Sequence, residues 1–104
     1  MPSRNVGELT QDRLWWLFQD NPQVAVEVLV NDTLVSLNDD GKWLDTTLET
    51  RVAYQRLRSA NADLLGTAMY SRLRKPGERR RVIVLALKLG RSRRWCINTL
   101  FKNQ

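Results

Sequence analysis

Arg51, Gln55 and Arg58 are spaced four and three residues apart, which puts three side chains on one face of a helix. Arg51 and Arg58 then lie two turns apart, roughly 10 Å. Two guanidinium groups so placed reach phosphates on the same side of a nucleic-acid backbone. The glutamine between them suits contacts to ribose hydroxyls, the group that marks A-form RNA read by shape.

Residue types that carry catalysis are scarce. The 104 residues include no histidine, no glycine-rich phosphate loop and no nucleophile elbow. Asp39 and Asp40 are adjacent carboxylates, but Asn38-Asp39-Asp40-Gly41 reads as a loop or turn, so they read as a solvated pair. Cys96 stands among Arg91, Arg93 and Arg94, cations that would lower a thiol pKa. Without a partner base it reads as a half-buried small apolar residue. A single cysteine permits no intramolecular disulfide, and with no histidine there is no plausible zinc site. The expectation is no enzymatic activity, no cofactor, no metal and no small-molecule substrate.

Charge points elsewhere. Residues 1–50 hold three basic side chains against nine acidic ones, a net of −6, and residues 51–104 hold fourteen against two, a net of +12. Such asymmetry orients a polyanion onto the second half, and every cation that neutralises a phosphate releases counterions. No apolar run approaches the ~20 residues of a membrane span. The longest, Val82–Leu87, follows Arg79-Arg80-Arg81. The polar sequence after Met1-Pro2-Ser3-Arg4 is not a signal-peptide core, which predicts an intracellular protein.

A second arrangement of the same charge is a helix-turn-helix over residues 81–102. Leu85, Ala86 and Leu89 precede Gly90, and Ser92 can cap a second helix carrying Arg93, Arg94 and Cys96. The alanine-to-glycine spacing and the small Cys96 fit that motif, whereas Thr99 stands where a buried aliphatic is normal.

These residues must be positioned by helices. Thr10 can cap a first helix, with Asp12 in its opening turn and Asn21-Pro22 at its end. Trp15, Trp16 and Phe18 point in different directions around it, which suggests burial against neighbours. The alternating valines of 24–30 also permit a hairpin with Asn31-Asp32, but Pro22 at a first helical position favours a helix over 24–37. From Trp43 to Arg74 the pattern predicts one long helix, capped by Asp45 or Thr46 and spanning roughly 45 Å. Ala53, Leu57, Ala60, Leu64 and Ala68 form its apolar stripe, which a symmetry mate would cover economically. After Pro76-Gly77 comes a basic helical segment ending in a short helix, Ser92 to Lys102.

At the long helix the sequence resembles the small nodavirus suppressors of RNA silencing. Glu8-Leu9 with Asp12-Arg13-Leu14 is similar to the start of the family's first helix. Tyr54-Gln55-Arg56, then Arg58, Asn61 and Leu64-Leu65, resembles its second helix, and Ala68 to Leu73 resembles its third. The resemblance covers residues 1 to about 75. The chain departs from it in the valine-rich stretch, at Gly66 and in the basic segment from Arg79.

The resemblance implies an all-α fold with long antiparallel helices forming a homodimeric four-helix bundle. Residues 1–75 would be the dimerisation and RNA-binding domain and 76–104 a basic C-terminal segment. It implies sequence-independent binding of double-stranded RNA in the host cytoplasm, shielding the duplex from Dicer and from the silencing complex. The contacts so implied are Arg51 and Arg58 with Lys42, Gln55 and Asn61. Arg72, Arg74, Lys75, Arg79, Arg80 and Arg81 extend the electrostatic reach. The alternative is a DNA-binding transcriptional regulator, phage-encoded in that case, using the helix-turn-helix at 81–102. A third reading is a protein-interaction module with Trp15, Trp16 and Trp43 as contacts.

Overall fold

The computed structural model describes residues 11–44 and 47–101, the side chains of Gln11, Arg13 and Leu14 excepted. Among them are six helices and no strand: α1 (Gln11–Asp20), α2 (Pro22–Val35), α3 (Leu48–Arg58), α4 (Ala62–Leu73), α5 (Arg79–Lys88) and α6 (Arg93–Leu100). The all-α expectation holds. None of these helices is long and apolar enough to cross a membrane. The expected caps at Thr10, Asp45 and Thr46, and the end at Lys102, lie outside the described residues.

The valine-rich stretch is helix. Asn21 caps it, its Oδ1 accepting from the Val24 N–H at 3.2 Å, and Pro22 occupies the first turn, where a missing N–H costs nothing. Ala25, Val26, Leu29, Val30, Thr33 and Leu34 form its buried face, at helical rather than alternating spacing. Burial on α1, α3, α4 and α5 overrides the β preference of valine, making α2 the central element.

The single long helix expected over 43–74 is instead two helices. Residues 36–44 are a tight loop. Leu37 and Trp43 form an antiparallel bridge, Asn38 Oδ1 accepts from the Asp40 and Lys42 N–H groups, and Gly41 takes φ +82°. Helix α3 then starts at Leu48 on the Thr47 cap, whose Oγ1 accepts from the Thr50 N–H. It ends at Ser59, whose hydroxyl donates to the Gln55 carbonyl at 3.2 Å and whose N–H is shared between the Gln55 and Arg56 carbonyls. The last turn tightens so that the Ala60 N–H reaches the Leu57 carbonyl at 3.1 Å. Asn61 caps the next helix, accepting from the Asp63 N–H at 2.8 Å. The break folds α3 and α4 back onto α2. The Ala53–Leu57–Ala68 stripe is consequently buried inside the chain, with Ala60 and Leu64 half-buried beside it.

One core serves both halves of the sequence. Val26, Leu29, Leu34, Leu37, Leu57, Leu65, Met69, Leu85 and Leu100 are fully buried in one cluster, so α5 and α6 pack on the body made by α2 to α4. Gly66 marks the closest approach. A Cβ there would lie 2.6 Å from Thr99 Cγ2, so the glycine admits α6 against α4. Among the described side chains of α1, Leu17 and Phe18 are partly covered. Trp15 and Trp16 are 56% and 62% exposed, contrary to their expected burial, because α1 packs chiefly along α2 and turns both rings outward.

Candidate nucleic-acid interface

Arg51, Gln55 and Arg58 are all exposed on α3, while Thr50, Ala53 and Leu57 on its other side are buried. The row therefore exists as a surface, and the helix is oriented by the burial of its apolar side. A shallow cleft of about 320 Å³ runs beside it, lined by Arg51, Val52, Gln55, Arg56 and Ser59. Among the described residues none of Arg51, Arg56 or Arg58 is paired with a carboxylate, so their charge faces solvent. Arg56, absent from the expected contacts, is exposed and lines the cleft roughly 100° around the helix from Gln55, off the row itself.

The remaining expected contacts divide into two groups. Lys42, Arg74, Lys75, Arg79 and Arg80 are exposed, and the Arg79 guanidinium lies over the Phe101 ring at 4.8 Å. Asn61 is exposed, with its carbonyl oxygen committed to the α4 cap. Arg72 and Arg81 do structural duty. Arg72 donates to Glu78 Oε1 at 3.1 Å and to Asn31 Oδ1. Arg81 donates through Nε to the Leu37 carbonyl at 3.1 Å and through a terminal nitrogen to the carbonyls of Leu34 and Leu37. Glu78, at 3.8 Å from Arg81, joins the two arginines. Composition gives no hint of this division, because partners 41 to 47 residues distant become visible only in the fold.

The C-terminal half adds a second basic face. On α6, Arg93, Arg94, Ile97 and Asn98 are exposed while Cys96 and Leu100 are buried. Burial pushes the Cys96 thiol pKa up, opposite to the lowering that its arginine neighbours suggested. Trp43 is packed edge-on against Tyr54, with ring centroids 5.4 Å apart, and Lys88 lies over it. Asp39 and Asp40 are exposed in their loop, and no group of three metal-ligating side chains occurs among the described residues. Compared with known proteins, the chain matches no family model, no curated sequence and no solved structure.

Proposed function

We propose that the protein binds duplex RNA irrespective of sequence and, by covering it, shields the duplex from Dicer and from the silencing complex in the host cytoplasm. The observation that carries the reading is the α3 row: Arg51, Gln55 and Arg58 exposed together on a helix whose opposite face is in the core. A-form RNA offers phosphates and 2′-hydroxyls across a wide, shallow minor groove. Guanidinium forks and a glutamine amide complement both without reading bases. The same row is the one implied by the resemblance to the nodavirus suppressors. Arg56 lines the adjoining cleft, and the exposed Lys42, Arg74, Lys75, Arg79 and Arg80 add to the positive potential of the molecule.

In this reading the protein acts as a homodimer. An 11-residue helix spans roughly 16 Å, less than the ~16 base pairs that a groove-spanning module covers. A second copy supplies a second row. The interface moves off the alanine–leucine stripe, which faces the core, to apolar side chains that remain exposed: Trp15, Trp16, Val35, Leu44 and Leu48.

Gel shifts with three duplex RNAs of unrelated sequence test the reading. The expected result is equal affinity for all three, and weakening by about tenfold or more in Arg51→Ala/Arg58→Ala. A double variant that binds like wild type removes α3 as the site.

A further inference from the structure

Of the unit from α5 to α6, that reading uses only Arg79 and Arg80 at the start of α5 and leaves the turn and α6 without a role. The α5 end is a Schellman motif: the Arg91 N–H donates to the Ala86 carbonyl and the Gly90 N–H to the Leu87 carbonyl, both at 3.0 Å. Gly90 takes φ +88° with open space around it, so backbone conformation alone demands glycine there. Two residues later Ser92 caps α6, its Oγ accepting from the Trp95 N–H at 3.0 Å. Two helices are thus joined by four residues, Leu89 to Ser92, closed at both ends by specific caps. Leu85, Ala86, Leu89, Cys96 and Leu100 are buried between them and α4. A short capped turn between two helices that both pack on a third is the connectivity a helix-turn-helix requires.

The outward face of its second helix has a mixed chemistry. At 100° per residue, Arg93, Ile97, Arg94 and Asn98 fall within an arc of roughly 140°. All four are exposed, Ile97 to 60%. The arc carries two cations, one amide and one branched apolar side chain, and no acidic residue. A surface that only attracted phosphates would have no use for Ile97 and Asn98. Base edges in a B-form major groove match them: arginine pairs with guanine, asparagine with adenine, and an apolar side chain with the thymine methyl. An α-helix enters that groove, whereas the narrow major groove of A-form RNA excludes it.

We infer that α6 is a recognition helix for the major groove of duplex DNA, with Arg93, Arg94, Ile97 and Asn98 facing the bases. This second surface goes beyond the duplex-RNA reading and is independent of the α3 row. The test is selection from duplex DNA with a randomised core, followed by gel shifts of the selected duplex and its RNA counterpart.

The expected outcome is an enriched short motif, bound as DNA in preference to RNA. Arg93→Ala/Arg94→Ala weakens binding of the selected motif about tenfold or more and relaxes the preference for guanine at the positions these arginines read. Asn98→Ala relaxes the preference at one position and leaves the salt slope unchanged. Arg51→Ala/Arg58→Ala leaves DNA binding intact, so failure here is distinct from failure of the RNA reading. All of these side chains are exposed, and unchanged thermal melting of each variant separates lost contacts from lost folding. Enrichment of no motif, tighter binding of the RNA counterpart, or DNA binding indifferent to Arg93 and Arg94 would overturn the inference.

Discussion

The Nε of Arg81 on α5 lies 3.1 Å from the carbonyl oxygen of Leu37, just beyond the end of α2. With its further bonds to the Leu34 and Leu37 carbonyls, this one side chain supplies the Leu37 carbonyl with its donor and adds a second donor to the Leu34 carbonyl, which already accepts from the Leu37 N–H at 3.2 Å. A cation at a helix C-terminus also complements the dipole. The contact joins sequence positions 44 residues apart and locks the basic C-terminal helices to the acidic N-terminal half.

Arg81→Ala is expected to cost about 2 kcal/mol of stability, because it leaves the Leu37 carbonyl without a donor and removes the charge-assisted bond to the Leu34 carbonyl. Arg81→Lys recovers only part, since an ammonium cannot reproduce the guanidinium fork. Urea denaturation measures both. RNA affinity under conditions where the variant is folded should match wild type, because Arg81 faces the protein.

Gly66→Ala normally stabilises a helix by up to ~1 kcal/mol. Here the sign reverses. The added methyl would meet Thr99 Cγ2 at 2.6 Å, and overpacking of that kind costs about 1–3 kcal/mol. Thr99→Ser removes the opposing methyl, so the double variant should regain most of the loss in a double-mutant cycle. Additive effects would mean that α6 does not pack there.

Much of this fold is legible in the sequence, and the misreadings have physical causes. Asn21-Pro22 marks the start of α2, and Gly90 with Ser92 marks the turn before α6. The break at 59–61 is written in Ser59, Asn61 and Asp63, which suit a helix end and a fresh cap. It is masked because the apolar stripe continues in register across it. That stripe reads equally as a dimer face or as core, because periodicity reports burial and not what covers the face. The Arg51–Gln55–Arg58 row is readable because it depends on local spacing alone. The structural roles of Arg72 and Arg81 depend on Glu78 and on the end of α2, which no local pattern reveals.

Burial of Cys96 predicts an inert thiol. Its pKa is shifted up from the ordinary value by desolvation. Labelling with a disulfide reagent at neutral pH should be slow in the native protein and fast in denaturant, with a rate still rising above pH 9. Rapid native labelling at neutral pH would show an exposed, activated thiol instead.

Asp32 gives a pH dependence. Burial, with Glu49 adding repulsion, raises its carboxyl pKa above the ordinary value, and Oδ2 is closed off without a hydrogen-bond partner among the described residues. An acid with a raised folded pKa favours folding below its unfolded pKa, and that contribution is lost as pH rises through the folded value. Asp32→Asn should therefore raise the melting temperature at pH 7. The gain should shrink to nothing as pH falls below about 4. A gain that is constant with pH would place the effect outside this titration.

The central claim is that the exposed α3 row holds duplex RNA through its phosphates. Its most direct test is fluorescence anisotropy of a labelled RNA duplex, titrated with wild type and with Arg51→Ala/Arg58→Ala across a salt series. The account predicts a linear fall of log affinity with log salt for wild type, and a slope shallower by about 2 in the double variant. Superimposable salt dependences for the two proteins would contradict it.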